Sequence, residues 1–266
     1  MKNQIITLTT DFGYQDPFVG TIKGSILKIN PLLNIVDLTH AIRPQDIKEA
    51  ALTISMNYKF FPKDTIHIVV VDPGVGSSRR PLIVMTDNHY FVGPDNGVFS
   101  GIYDSGNEIL QVVHVSAEHY FLKKDSLTFQ ARDIFAPVGA YLSKGVNISN
   151  FGETIRDYVK IPLPVSQAKE GSLLGEVIFL DGFGNAITNI NSEEINRLKN
   201  SKTSEDLRVL LKGHEIMAKN YYSQATDKEI YYLINSSGLL EFFVYLGNAS
   251  SEYGISIEDT VEVVLK

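Results

Sequence analysis

Four acids stand at the same kind of place, where a short apolar run gives way to a glycine-containing turn. Thr10-Asp11-Phe12-Gly13 follows Ile5–Thr9, with Asp16 five residues beyond Asp11. Val71-Asp72-Pro73-Gly74-Val75-Gly76 follows the run that begins at Ile66, and Val92-Gly93-Pro94-Asp95-Asn96-Gly97 and Leu180-Asp181-Gly182-Phe183-Gly184-Asn185 repeat the arrangement. An Asp there can accept hydrogen bonds from a ribose or balance a cation, and glycine lets the backbone approach a ligand closely. In an open α/β sheet such turns share the rim beyond the carboxyl ends of the strands, where ligands bind. Each is also an ordinary turn-forming sequence, so it is their recurrence that points to a polar site. Arg79 and Arg80 follow Asp72 by seven and eight residues. A loop of that length can fold back and set a guanidinium beside the carboxylate, a pair able to orient a water molecule. A surface salt bridge is the competing reading.

Other chemistries are excluded. The chain has no Cys, which removes disulfides, thiolate metal sites and Cys nucleophiles. It has no GxGxxG after the first strand, no GxxxxGK[ST] and no GxSxG elbow. Its six His form no HExxH-type pair, and His67, inside the run IHIVVV, reads as a hydrogen-bonded core residue. Spacing alone leaves open a carboxylate Mg²⁺ site on Asp11, Asp16, Asp72 and Asp95, because Mg²⁺ favours oxygen ligands. Lys and Arg number 24 against 31 Asp and Glu, a net charge of −7. The only basic groupings are short pairs such as Lys123–Lys124 and Arg79–Arg80, which argues against a nucleic-acid partner. No run of 18 apolar residues exists, and the start MKNQIITLTTDFG lacks the apolar stretch and cleavage site of a signal peptide. A cytoplasmic protein with no membrane partner is expected.

The elements that must position these residues change character along the 266-residue chain. Strands are predicted at Ile5–Thr9, Asn34–Leu38, Ile66–Val71, Leu82–Thr86, Tyr90–Val92 and Val112–Val115. Helices are predicted at Phe18–Ile29, stopped by Asn30-Pro31, at Asp46–Tyr58 and at Ile134–Ser143. The β-α-β rhythm argues for an α/β domain with a mostly parallel sheet. Ile161-Pro162-Leu163-Pro164-Val165 and the polar Ser166–Gly171 read as a linker, which divides the chain into 1–165 and 166–266. Beyond it the runs Leu174–Leu180, Ala186–Ile190, Leu207–Leu211, Ile230–Ile234, Leu240–Tyr245 and Thr260–Leu265 are strand-like, with Ser192–Leu198 the one helix candidate. They suggest a small β-barrel or sandwich.

The stretches LTTDFGYQDPFVGTIKG, NPLLNIVDLTH, FPKDTIHIVVVDPGVGSSRR, FVGPDNGVF, TFQARDIFAP, DGFGNAITNI and LINSSGLLEFF follow one another from about residue 5 to about residue 250. In that order they resemble the S-adenosyl-L-methionine (SAM) hydrolases, or SAM hydroxide adenosyltransferases, relatives of the fluorinating and chlorinating enzymes that use the same substrate. The resemblance implies an N-terminal α/β domain, a smaller C-terminal β-barrel-like domain, and a homotrimer with its site at the subunit interface. It also implies attack of water or hydroxide on the ribose C5′ of SAM, a small-molecule substrate, giving adenosine and L-methionine without cofactor or metal.

Carried onto this chain, Asp72 and Arg79 match the pair that holds the nucleophilic water, and Asp11 matches the carboxylate that bonds the ribose hydroxyls. Phe129 matches an aromatic residue beside the substrate. Asp181, Asn185 and Ser236 match contacts to the methionine part or the adenine. Tyr222, or equally Tyr221, matches a ring stacked on adenine, and Glu241, Asn248 and Ala249 match positions that approach the ligand. The halogenating relatives carry a non-acidic residue in place of Asp72, and a carboxylate there would repel a halide. One position departs from the family. The hydrolases read FHGRD where this chain has Phe129-Gln130-Ala131-Arg132-Asp133. Gln130 can orient a water but cannot take a proton from it at neutral pH, so a non-catalytic or chemically altered adenosine- or SAM-binding protein is the alternative. His119 is a conceivable stand-in.

Overall fold

The computed structural model describes residues 5–104, 106, 108–122, 126–200 and 207–265. The Lys123–Lys124 pair lies outside them. The chain packs as two compact units, Met1–Leu163 and Pro164–Lys266.

The first unit runs β1 (Ile5–Thr10), α1 (Phe18–Ile29), β2 (Asn34–Thr39), α2 (Ile47–Asn57), β3 (Ile66–Val70), β4 (Pro81–Thr86), β5 (Tyr90–Pro94), α3 (Ser100–Tyr103), β6 (Ile109–Val115), α4 (Ala136–Ser143) and β7 (Gly152–Thr154). Its sheet has the order β2-β1-β3-β5-β4-β6-β7. The four strands from β2 to β5 are parallel, and β4, β6 and β7 extend the sheet antiparallel. β3 is buried at all five positions, as expected of a strand covered on both faces. Ile22 and Ile26 of α1 and Val138 of α4 pack on one face, while Ala50 and Ile54 of α2 and Ile102 of α3 pack on the other. Asp46 caps α2 by accepting from Glu49 N–H at 2.8 Å, and α1 stops at Asn30, ahead of Pro31.

His67 is a core residue. Its Nδ1 lies 2.7 Å from Thr7 Oγ1, and its Nε2 lies 3.3 Å from His89 Nδ1. Burial, with the neighbouring His89, pushes the His67 imidazolium down to about 3. A base whose folded pKa lies below its unfolded value binds more protons when unfolded, so stability falls as pH drops from about 6.5 toward about 3. At pH 5 the loss from this one ring is about 2 kcal/mol. Urea titrations at pH 7 and pH 5 should show that loss, and His67→Gln should reduce it; equal loss in both proteins would place the acid sensitivity elsewhere.

The second unit runs β8 (Gln167–Lys169), β9 (Ser172–Leu180), β10 (Ala186–Asn191), α5 (Ser192–Asn200), β11 (Leu207–Leu211), β12 (His214–Ala218), β13 (Ile230–Ile234), β14 (Leu239–Val244), α6 (Ala249–Tyr253) and β15 (Thr260–Leu265). Seven of its strands close a barrel, because the order β10-β14-β13-β12-β11-β15-β9 returns to β10 through the β9–β10 hairpin. β8 pairs with β9 outside the ring. Closure removes unpaired sheet edges, and Phe242, Ile190, Val177 and Val261 fill the interior. Of the barrel and sandwich readings, the closed barrel is correct. Ser192–Leu198 is not its one helix, since α6 adds a second. Among the described residues no helix is long and apolar enough to cross a membrane.

Candidate active site

In the first unit a cleft of about 790 Å³ opens at the carboxyl ends of β1 and β3. Asp11 stands just beyond β1, and Asp72 stands two residues beyond β3. The loop after Asp72 turns back on itself through Val75 N–H to the Asp72 carbonyl and Ser77 N–H to the Gly74 carbonyl. The turn brings Arg79 onto Asp72 as a fork: Nε donates to Oδ1 at 2.9 Å and Nη2 donates to Oδ2. The two side chains are only 9% and 5% exposed, and the guanidinium also lies 5.4 Å from the centre of the Phe135 ring. Arg79 Nη1 is buried with no partner among the described residues. Leaving its N–H groups unbonded would cost about 1–3 kcal/mol.

Gln130 and Phe129 reach the cleft from the start of a π-helical turn, Ala131–Phe135, that runs into α4. Helix therefore begins three residues before the predicted Ile134. Pro137 has no N–H to offer the Asp133 carbonyl, and that carbonyl accepts from Leu122 N–H at 2.9 Å instead. Such turns re-aim side chains and recur at functional sites. Ala131 is buried at the cleft wall. Arg132 and Asp133 form their own fork at 2.6 and 2.9 Å. Phe12, Phe18 and Phe129 meet edge to face at centroid distances of 5.3–6.1 Å and form an aromatic wall. The Arg132 guanidinium lies 5.1 Å from the Phe129 ring centre. Asp16 also lines the cleft, as does Gln45, whose N–H donates to Asp11 Oδ2 at 2.8 Å.

The four-Asp cation reading does not hold. Asp95 is buried and points away into a different pairing: its Oδ2 accepts from Arg80 Nε at 2.9 Å and Nη2 at 2.7 Å, and its Oδ1 accepts from Val159 N–H. Arg80 also reaches Asp157. Among the described residues no three His, Cys, Asp or Glu side chains come together to hold a metal ion. His119 is exposed and packs on Tyr120 at 4.2 Å, and it does not line the cleft.

In the second unit Asp181 and Asn185 form the turn of the β9–β10 hairpin. Asp181 Oδ1 accepts from Phe183 N–H at 2.9 Å and Asn185 N–H at 2.8 Å, and Asn185 Nδ2 donates to Oδ2 at 3.1 Å. The turn is tied to α6 by Ser250 N–H to the Gly184 carbonyl. Asn248 caps that helix by accepting from Ser251 N–H at 2.8 Å, and Ala249 is fully buried in the barrel core. Glu241 on β14 is buried and accepts from Tyr222 Oη at 2.7 Å and Asn235 Nδ2 at 2.9 Å. Burial, the Glu241 hydrogen bond and the charges of Glu241 and Asp181 all push the Tyr222 phenol up, so it stays a neutral donor. Tyr222, not Tyr221, carries this bond to Glu241. Ser236 is exposed in the turn between β13 and β14.

Gly184 has φ 86°, and a Cβ there would lie 2.1 Å from Asn248 Cγ, a side chain held by its capping bond. Gly184→Ala should therefore lower stability by about 2 kcal/mol or more. Thermal melting reads this out; an unchanged melting temperature would show that the Asn248 cap is free to move.

The chain thus joins an α/β unit with a buried Asp–Arg fork at the rim of its sheet to a closed β-barrel unit. The chain matches the SAM hydroxide adenosyltransferase N-terminal domain over residues 6–152 and the C-terminal domain over residues 175–262. It belongs to that family. A protein of Methanocaldococcus jannaschii named (R)-S-adenosyl-L-methionine hydrolase is 33% identical, with 98% of this chain and 95% of that protein covered. A fluorinase of an Actinoplanes species is 26% identical over 79% of each chain. A crystal structure of an uncharacterized conserved protein from Thermotoga maritima superposes with a TM-score of 0.89 at 32% identity, covering 97% of this chain and 99% of the other.

Proposed function

We propose that the protein hydrolyses SAM to adenosine and L-methionine. The observation that supports this most is the buried Asp72–Arg79 fork, whose Asp72 lines the same cleft as Gln130. A water oxygen forms a bond to the ribose C5′ while the C5′–S bond breaks, and its electron pair leaves with sulfur as a neutral thioether. No general acid is needed. Asp72 accepts the water's proton, because a carboxylate keeps free lone pairs even in a two-point Arg fork. Arg79 fixes the carboxylate, and its unpartnered Nη1 supplies a donor for the attacking oxygen. Asp11 holds the ribose hydroxyls, and Phe129 with its aromatic neighbours shields the reacting carbon from bulk water. Asp181, Asn185, Tyr222, Ser236, Glu241 and Asn248 supply the remaining contacts, while the fully buried Ala249 packs in the barrel core. The assembly this reading carries over from the family resemblance is a homotrimer, in which a neighbouring subunit's barrel unit provides those contacts.

A carboxylate at position 72 disfavours a halide nucleophile. The name of the M. jannaschii relative specifies the (R) epimer at sulfur, so both epimers belong in the test. Purified protein incubated with each epimer in EDTA, and separately with added chloride, should release adenosine and methionine in equal amounts, and an Asp72→Ala control should not. A chlorinated nucleoside would indicate a halide transferase. Gln130 favours one second reading, a non-catalytic binder; tight calorimetric binding of SAM or adenosine without turnover would establish it.

A further inference from the structure

The loops that follow β1 and β2 are tied together at three points. His40 Nδ1 lies 2.7 Å from Thr10 Oγ1, Gly13 N–H donates to the His40 carbonyl at 2.8 Å, and Gln45 N–H donates to Asp11 Oδ2 at 2.8 Å. His40 is 1% exposed and does not line the cleft. Phe12 N–H donates to Thr10 Oγ1 at 3.2 Å. The hydroxyl oxygen keeps a second lone pair, so its role toward His40 Nδ1 follows the ring tautomer, and a ring proton on Nε2, beside the Asp37 carboxylate, makes the Thr10 hydroxyl the donor. Nε2 faces Asp37 Oδ1 at 3.1 Å. The other Asp37 oxygen receives Lys23 Nζ at 2.6 Å and the Tyr14 hydroxyl at 3.3 Å. Burial raises the Asp37 carboxyl, but the contacts from Lys23 and His40 outweigh it and hold Asp37 below the usual carboxylate range. The other end of the His40–Gln45 loop is fixed as well. Gln45 sits at φ 68°, a costly conformation for a residue with a side chain, and Arg43 pairs with Asp46 and Glu49.

We propose that His40 is a positioning residue for Asp11: through the Thr10 hydroxyl and its own carbonyl it fixes the Thr10–Gly13 turn, so that the Asp11 carboxylate faces the ribose hydroxyls of the substrate. The proposal rests on the reading of Asp11 as the ribose ligand. Losing the tie should erase recognition of the ribose hydroxyls and leave the rest of the nucleoside contacts in place.

The test is calorimetric titration of the full chain with adenosine and with 2′,3′-dideoxyadenosine. The wild-type protein should bind adenosine about tenfold or more tighter, the scale expected for hydrogen bonds to a carboxylate. In His40→Leu and Thr10→Val the adenosine affinity should fall to the dideoxyadenosine level, which itself stays unchanged. His40→Asn, whose Oδ1 can take the place of Nδ1, and Thr10→Ser should keep the discrimination. In turnover the loss should appear in KM, with kcat within about twofold. If His40→Leu does not fold, Thr10→Val carries the measurement. Retained discrimination in Thr10→Val, or equal weakening of both ligands, would overturn the proposal. If the wild-type protein itself fails to discriminate, the assignment of Asp11 is wrong and the proposal falls with it.

Discussion

Asp72→Asn is expected to lower adenosine formation about a thousandfold and to cost the N-terminal unit about 3 kcal/mol of stability. The two effects have separate causes. Asn has no basic oxygen to take the proton of an attacking water, so the chemical step loses its base. It also leaves the Arg79 guanidinium, 9% exposed, without a counter-charge in a place where water cannot replace it, and a buried charge stripped of its partner is far more costly than a missing surface pair. The double variant Asp72→Asn/Arg79→Met separates the two. Removing both charges should restore most of the stability, because Met fills the space beside Phe135 and no unpaired charge remains, while activity stays at or below the Asp72→Asn level, since the Nη1 donor is lost as well. Thermal melts and initial rates on the same three proteins give the answer. A double variant as unstable as the single one would mean that the fork is not the origin of the loss. Near-wild-type activity in Asp72→Asn would remove Asp72 from the chemistry.

Gln130→His is expected to raise the rate by about tenfold to a hundredfold, since a positioned general base contributes on the order of 10²–10⁴. Gln130 lines the cleft from the position just before the π segment, so an imidazole there stands in the same cleft as Asp72. The variant should also gain a titrating limb in its pH–rate profile near the ordinary His range, with rate lost on the acid side as the ring takes up a proton and ceases to be a base. Wild-type protein, with Gln130, should lack that limb. An unchanged or lower rate in Gln130→His would mean that Gln130 is not a reduced version of a family base.

Much of the first unit is readable along the chain. IHIVVV reads as a strand buried on both faces because it has no alternation, and β3 is buried throughout. Asp46 and Asn30-Pro31 mark helix ends by capping and by the steric demand of proline. The antiparallel half of the sheet is not readable, since β4 and β6 are apolar runs like the parallel strands and nothing in their composition states direction. β12 has one buried residue, Ile216, too little for a period, and β7 and β8 span three residues each. At the site, Asp11, Asp72, Phe129 and Gln130 line one cleft, and Arg79 is forked onto Asp72. Spacing could not choose between Arg79 and Arg80 for Asp72, because both are within reach and the choice depends on how the Gly74–Ser77 turn closes. Gln45 carries no chemical signal at all; it reaches Asp11 only because its backbone adopts a left-handed conformation. Phe12 reads only as part of a turn and Phe18 only as the first residue of a helix.

The central claim is that a water oxygen becomes bonded to C5′ of the ribose. Turnover of SAM in ¹⁸O-enriched water, followed by mass spectrometry of both products, tests it directly. The account predicts adenosine carrying one ¹⁸O at its 5′ oxygen and methionine carrying none. Unlabelled adenosine, label in the amino-acid product, or cleavage that yields no adenosine would contradict it.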